Sequence, residues 1–179
     1  MEEVRKLGAA QRQGVIDEYL KRRGPHDQPL RALEHLYYTF DILLDYGAFR
    51  DIQRHRMATQ TRQDLSTNYG YSIPDEIVAY GLRDTFDEGM ARAGDAYVQI
   101  SRDFPLEAQY VLPLAYRMRV LITWNLRELC HFIHLRSAKQ GHAAYRTIAQ
   151  HVYREIARVH PVLARYIRVD LAEYPLARL

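Results

Sequence analysis

Asn125-Leu126-Arg127-Glu128-Leu129-Cys130-His131-Phe132-Ile133-His134-Leu135-Arg136 is the stretch from which the fold is read. At about 100° per residue it is an amphipathic helix. Leu126, Leu129, Cys130, Phe132 and Ile133 gather on one side, which should face the core, while Arg127, Glu128, His131 and His134 lie opposite. Asn125 and Arg136, eleven positions apart, return to nearly the same angle and fall among the apolar residues. A guanidinium taken out of water without a partner costs several kcal/mol. Arg136 therefore needs an anion or a stack of acceptors, or else it snorkels to solvent or meets a structural carboxylate.

Working outward, the second half reads as helical. Asp75 to Arg102 is a long amphipathic segment ending at Phe104-Pro105, and Glu107 to Ile122 is a second run that Pro113 should kink or break. The helix Asn125 to Arg136 is followed by another, His142 to Val159, stopped at His160-Pro161. Toward the N-terminus, Glu2 to Arg23 reads as a helix with Leu7, Ala10, Gly14, Val15, Tyr19 and Leu20 on one side, broken by Gly24 to Pro29. Leu36 to Leu44 is aromatic, β-branched and short, as strands are. A short helix, Tyr46 to Arg54, follows it, and Met57 to Pro74 is a loop or edge strand. The expected class is α+β, a mostly helical domain with a small antiparallel sheet. No linker divides residues 1–179, so one domain is expected.

Composition narrows the function classes. One cysteine excludes an internal disulfide, and 47% hydrophobic with 26% charged residues is globular. No apolar run approaches the roughly 20 residues of a membrane span. Met1 to Lys6 opens with acids and has no signal-peptide core, so the cytoplasm is the expected location. Net charge is only +3, yet Lys occurs only at Lys6, Lys21 and Lys139, leaving 22 of the 25 basic residues as Arg. Guanidinium grips phosphate or carboxylate through two parallel hydrogen bonds, but the count by itself is better explained as a compositional habit of the source genome. Arg54-His55-Arg56, with Arg50 one turn earlier, lies where a helix passes into a polar loop. Two Arg flanking a His can clamp phosphates, or form a solvated basic turn. Interleaved aromatics of a nucleic-acid platform are missing beside it. Glu128-x-x-His131 has di-metal spacing, but no second Glu-x-x-His exists, so no metal is expected. Cys130, mid-way along an apolar face, reads as inert packing.

Taken in order, these segments resemble the flavin-dependent thymidylate synthases. The family hallmark runs Arg-His-Arg, two residues, Ser, one residue, Asn-Glu, one residue, Ser, one residue, Arg-Tyr. Arg54-His55-Arg56 opens the corresponding stretch, which continues to Thr67. Asp17 to Leu20 and Leu33-Glu34-His35-Leu36 to Phe40 are similar to the family's helix and Glu-His strand. Val111-Leu112-Pro113, Asn125-x-Arg127, Leu135-Arg136 and His142-Ala143 are similar to its downstream segments. The resemblance implies a homotetramer with FAD between subunits that reductively methylates dUMP to dTMP, using methylenetetrahydrofolate and NADPH. It implies that Arg54, His55, Arg56, Asn125, His142, His131 and His35 serve the FAD, and that Arg136 holds dUMP. The departures are specific. Arg62 and Asp64 replace the hallmark's Glu and second Ser, Ser66 and Gln109 stand where nucleotide-binding Arg residues are usual, and His131 stands where many members have Asn. No counterpart of the family's N-terminal strand precedes Glu2. The second expectation is accordingly a catalytically degenerate homologue, a flavin-binding or structural partner that forms half of a tandem protein.

Overall fold

The computed structural model describes residues 5–174. In chain order it contains α1 (Ala9–Leu20), a 3-10 turn (Arg31–His35), β1 (Tyr37–Asp45), α2 (Tyr46–Ile52) and β2 (Ala58–Arg62). There follow α3 (Asp75–Ala79), α4 (Arg83–Ile100), a second 3-10 turn (Glu107–Val111), β3 (Arg117–Asn125), α5 (Leu126–Ser137), α6 (Ala143–Val159) and α7 (Pro161–Ala164). The strands form one antiparallel sheet in the order β1-β3-β2, giving the expected α+β class. The chain clusters into two compact units, residues 39–123 and residues 1–38 with 124–179, and it crosses between them inside β1 and β3.

In the unit of residues 39–123, β3 shows the period of two that a half-buried strand requires. Met118, Val120 and Ile122 are fully buried, while Arg119 and Leu121 are exposed. Thr39 and Thr123 share a hydroxyl–hydroxyl bond of 2.8 Å across the β1–β3 pair, and Arg119 grips Asp41 on the open face. The expected helix from Glu107 to Ile122 is corrected here. Pro113 ends a short 3-10 turn, and beyond it the alternation of apolar and basic residues selects a strand. A second correction concerns Asp75 to Arg102. Gly81, at φ +67°, takes the left-handed conformation that breaks this segment into α3 and α4. Met57 to Pro74 resolves into β2, at the sheet edge, and irregular chain.

In the other unit, α5 packs against α6 and against the first 3-10 turn, and α6 packs against α7. The expected inward face of α5 is the observed one, with Leu126, Leu129, Cys130, Phe132 and Ile133 all buried. Trp124 stacks on Phe132 at 4.9 Å between ring centroids. The N-terminal helix buries less than its stripe suggests. Within α1 only Leu20 is buried and Val15 is 59% exposed, while residues 2–4 lie outside the described residues. Among the described residues no helix is long and apolar enough to cross a membrane.

Candidate functional site

The Arg-His-Arg cluster belongs to the unit of residues 39–123. Asp45 caps α2, its Oδ1 accepting from the Ala48 N–H at 2.8 Å, so the helix starts where β1 ends. After Ile52 the chain tightens, the His55 N–H bonding the Ile52 carbonyl at 3.0 Å. Gln60 on β2 donates its side-chain amide to the His55 carbonyl at 3.1 Å. The turn therefore folds the imidazole inward, 5% exposed, and leaves the Arg54 and Arg56 guanidiniums on the surface. Chemically this is a pair of exposed cations flanking a buried imidazole, suited to phosphate or to an electron-rich carbonyl.

In the same unit, positions expected to bind nucleotide carry smaller groups with local partners. The Ser66 hydroxyl accepts from the Asn68 N–H at 3.4 Å, and the Gln109 amide donates to the Leu106 carbonyl at 2.8 Å. Arg62 and Asp64 are exposed.

The other unit holds the remaining candidates. Asn125 is both the last residue of β3 and the N-cap of α5, its Oδ1 accepting from the Glu128 N–H at 2.8 Å. The cap uses the carboxamide oxygen, so the amide N–H groups remain as donors. His142 repeats the device on α6. Its Nδ1 accepts from the Ala144 N–H at 3.2 Å, which puts the proton of the neutral ring on Nε2. Both sequence-derived helix starts, Asn125 and His142, are caps rather than helical residues.

Arg136 is half-buried in the last turn of α5, and its guanidinium lies over the Tyr145 ring, 5.0 Å from the centroid. Tyr145 sits in the first turn of α6, beside His142, with ring centroids 6.2 Å apart. Cation, aromatic ring, imidazole and helix N-terminus are thus gathered at one turn, an arrangement that favours an anionic ligand. Tyr145 was not singled out from the sequence. Its only advance signal is an aromatic ring three residues after His142, in the first turn of a helix.

His35 ends the first 3-10 turn and is exposed, as is His131 on the outer face of α5. Arg127, the Arg of Asn-x-Arg, is occupied by structure. It donates to the Pro29 carbonyl at 2.8 Å and to Glu34 at 3.0 Å. The Arg31 hydrogen bond, with Arg127 assisting, holds the Glu34 carboxyl below its usual range. Cys130 is buried, and burial pushes its thiol up to about 11, against the pull of Arg23 and Arg168, so it is no nucleophile near neutrality.

Residues 1–162 match the family model described as thymidylate synthase complementing protein. The chain belongs to that family. This member of the thymidylate synthase complementing family is 45% identical, over 155 residues, to a UPF0159 protein of Chlamydia muridarum, covering 86% of this chain and 29% of the relative. A UPF0159 protein of Thermoplasma acidophilum is 42% identical over 152 residues, with 83% and 30% covered. A flavin-dependent thymidylate synthase of Sulfolobus acidocaldarius is 32% identical over 144 residues, with 75% and 55% covered. The chain thus spans under a third of the length of the UPF0159 relatives.

Proposed function

We propose that this chain is a flavin-dependent thymidylate synthase-like protein that binds FAD and a dUMP-class nucleotide. The observation that carries the reading is Arg136, stacked on Tyr145 beside the His142-capped start of α6. When bound, FAD supplies hydride for the reductive methylation of dUMP to dTMP, with methylenetetrahydrofolate as carbon donor and NADPH as reductant. In this reading Arg54 and Arg56 present guanidiniums to a flavin, with His55 buried in the turn between them. The Asn125 amide and His142 Nε2 are flavin donors in the other unit, whether toward the same cofactor or that of a neighbouring subunit. His35 and His131 are outer contacts. Arg136 holds the nucleotide and offsets negative charge developing on it. The working form is a cytoplasmic homotetramer, or an assembly in which a second homologous domain closes the site.

A second reading rests on Ser66 and Gln109, whose side chains take backbone partners where nucleotide-gripping guanidiniums are expected. Together with the greater length of the UPF0159 relatives, it describes a flavin-binding partner whose missing cations come from elsewhere. The deciding experiment supplies FAD, NADPH and methylenetetrahydrofolate with dUMP tritiated at carbon 5. Tritium release supports the enzyme. A yellow protein that releases none and shows no dUMP-dependent spectral change drops the first reading for the second. In the enzyme, Arg136→Ala should weaken dUMP binding by about 10- to 100-fold, the worth of one charge-assisted contact. Equal affinity in the variant removes that assignment.

A further inference from the structure

Residues 170–174, which lie beyond the family-matched segment, form a strap over the turn that joins α5 to α6. Ser137, fully buried at the end of α5, accepts from the Asp170 N–H at 2.9 Å. Gln150, 6% exposed on α6, donates to the Asp170 and Ala172 carbonyls at 3.1 and 3.2 Å. Arg146 is 5% exposed, and its guanidinium is held by backbone carbonyls. Nη1 donates to the Lys139 and Gly141 carbonyls at 3.4 and 3.2 Å, and Nη2 to the Tyr174 carbonyl at 2.8 Å. The same guanidinium lies 5.1 Å from the Tyr174 ring centroid, and the Tyr174 hydroxyl donates to Asp170 at 2.8 Å.

These contacts form a chain that ends at the ligand-binding cation. Tyr174 seats Arg146, and Arg146 holds the Gly141 carbonyl. Gly141 lies so close beneath Tyr145 that a β-carbon there would meet Cε2 at 2.9 Å. Tyr145 in turn carries Arg136 on its face. We propose that Tyr174 is a positioning residue for Arg136, acting through Arg146 and the α5–α6 turn. The role of Arg136 toward nucleotide rests on the function proposed above, whereas its positioning by the strap does not.

The test uses the full chain and two probes, phenylglyoxal labelling of Arg136 located by mass spectrometry and dUMP binding by calorimetry. Tyr174→Ala is expected to raise the Arg136 labelling rate several-fold and the dUMP Kd about tenfold, the scale of a partly desolvated cation–ring contact. Tyr174→Phe keeps the ring and should restore both, while Cys130 stays unreactive toward thiol reagents in each variant. In an Arg136→Ala background, Tyr174→Ala should change dUMP affinity no further. Unchanged Arg136 labelling in Tyr174→Ala overturns the proposal, as does an affinity loss that persists without Arg136. If the wild type binds no dUMP yet labelling rises in Tyr174→Ala and returns in Tyr174→Phe, the strap stands and the nucleotide reading falls.

Discussion

A β-carbon on Gly141 would face, besides Tyr145, the carbonyl oxygens of Ala138 at 3.0 Å and Arg136 at 3.1 Å. Backbone oxygens cannot swing aside as a flexible side chain would. Gly141→Ala should therefore cost ~1–3 kcal/mol, as overpacking does. The measurement is the urea midpoint at unchanged slope, and a midpoint equal to wild type would refute the close approach. Cys130 offers a second check at this scale. Burial raises the thiol from its ordinary 9.0 to about 11, so folding favours the neutral form. The stability this contributes is complete below about pH 9 and is lost as pH rises through about 11. Near pH 8 the folded protein should react slowly with a thiol reagent and the urea-unfolded chain quickly. Rapid stoichiometric labelling of the native protein would contradict it.

β3 is the element that separates what the sequence discloses from what it conceals. Arg117, Arg119, Leu121 and Thr123 alternate with Met118, Val120, Ile122 and Trp124, a clean period of two. That pattern follows Pro113 within a stretch whose earlier residues also suit a helix, and only sheet pairing decides between them. Ile122→Ala should cost ~2–5 kcal/mol in thermal or urea unfolding, whereas Leu121→Ala, on the open face, should stay within about 0.5 kcal/mol. Equal losses at the two positions would contradict the register. The helix at Leu126–Ser137 was legible because five apolar residues share one face. The break at Gly81 was not, since one glycine inside a periodic segment is tolerated as often as it ends a helix. Arg136 and Asn125 could be picked out by their angle on the helix, and His142 by the resemblance of His142-Ala143 to a family segment. Tyr145 and Arg146 could not, because their meaning comes from contacts that only folding creates: a guanidinium on a ring, and a buried cation satisfied by carbonyls.

At the scale of the molecule, several carboxylates are held ionised by the fold. The Asp41 carboxyl is lowered by its hydrogen bond from Arg119, Glu34 by Arg31, and Asp170 by the Ala172 N–H and the Tyr174 hydroxyl. A carboxyl whose folded pKa is depressed adds stability above its unfolded value, and that stability is lost as pH falls through the folded one. Tm should therefore hold near neutrality and fall progressively below about pH 4. Each loss is small, because these groups are solvent-screened. A Tm that stays flat from about pH 6 to pH 3 would show that the paired geometry contributes nothing.

Asn125 ends a strand and begins a helix with no residue in between. One amino acid inserted after it would turn every later position of α5 by about 100°, carrying Phe132 off the Trp124 ring. Exchange of segments with longer relatives must therefore be seamless at 125/126, and any length difference has to be absorbed away from this junction.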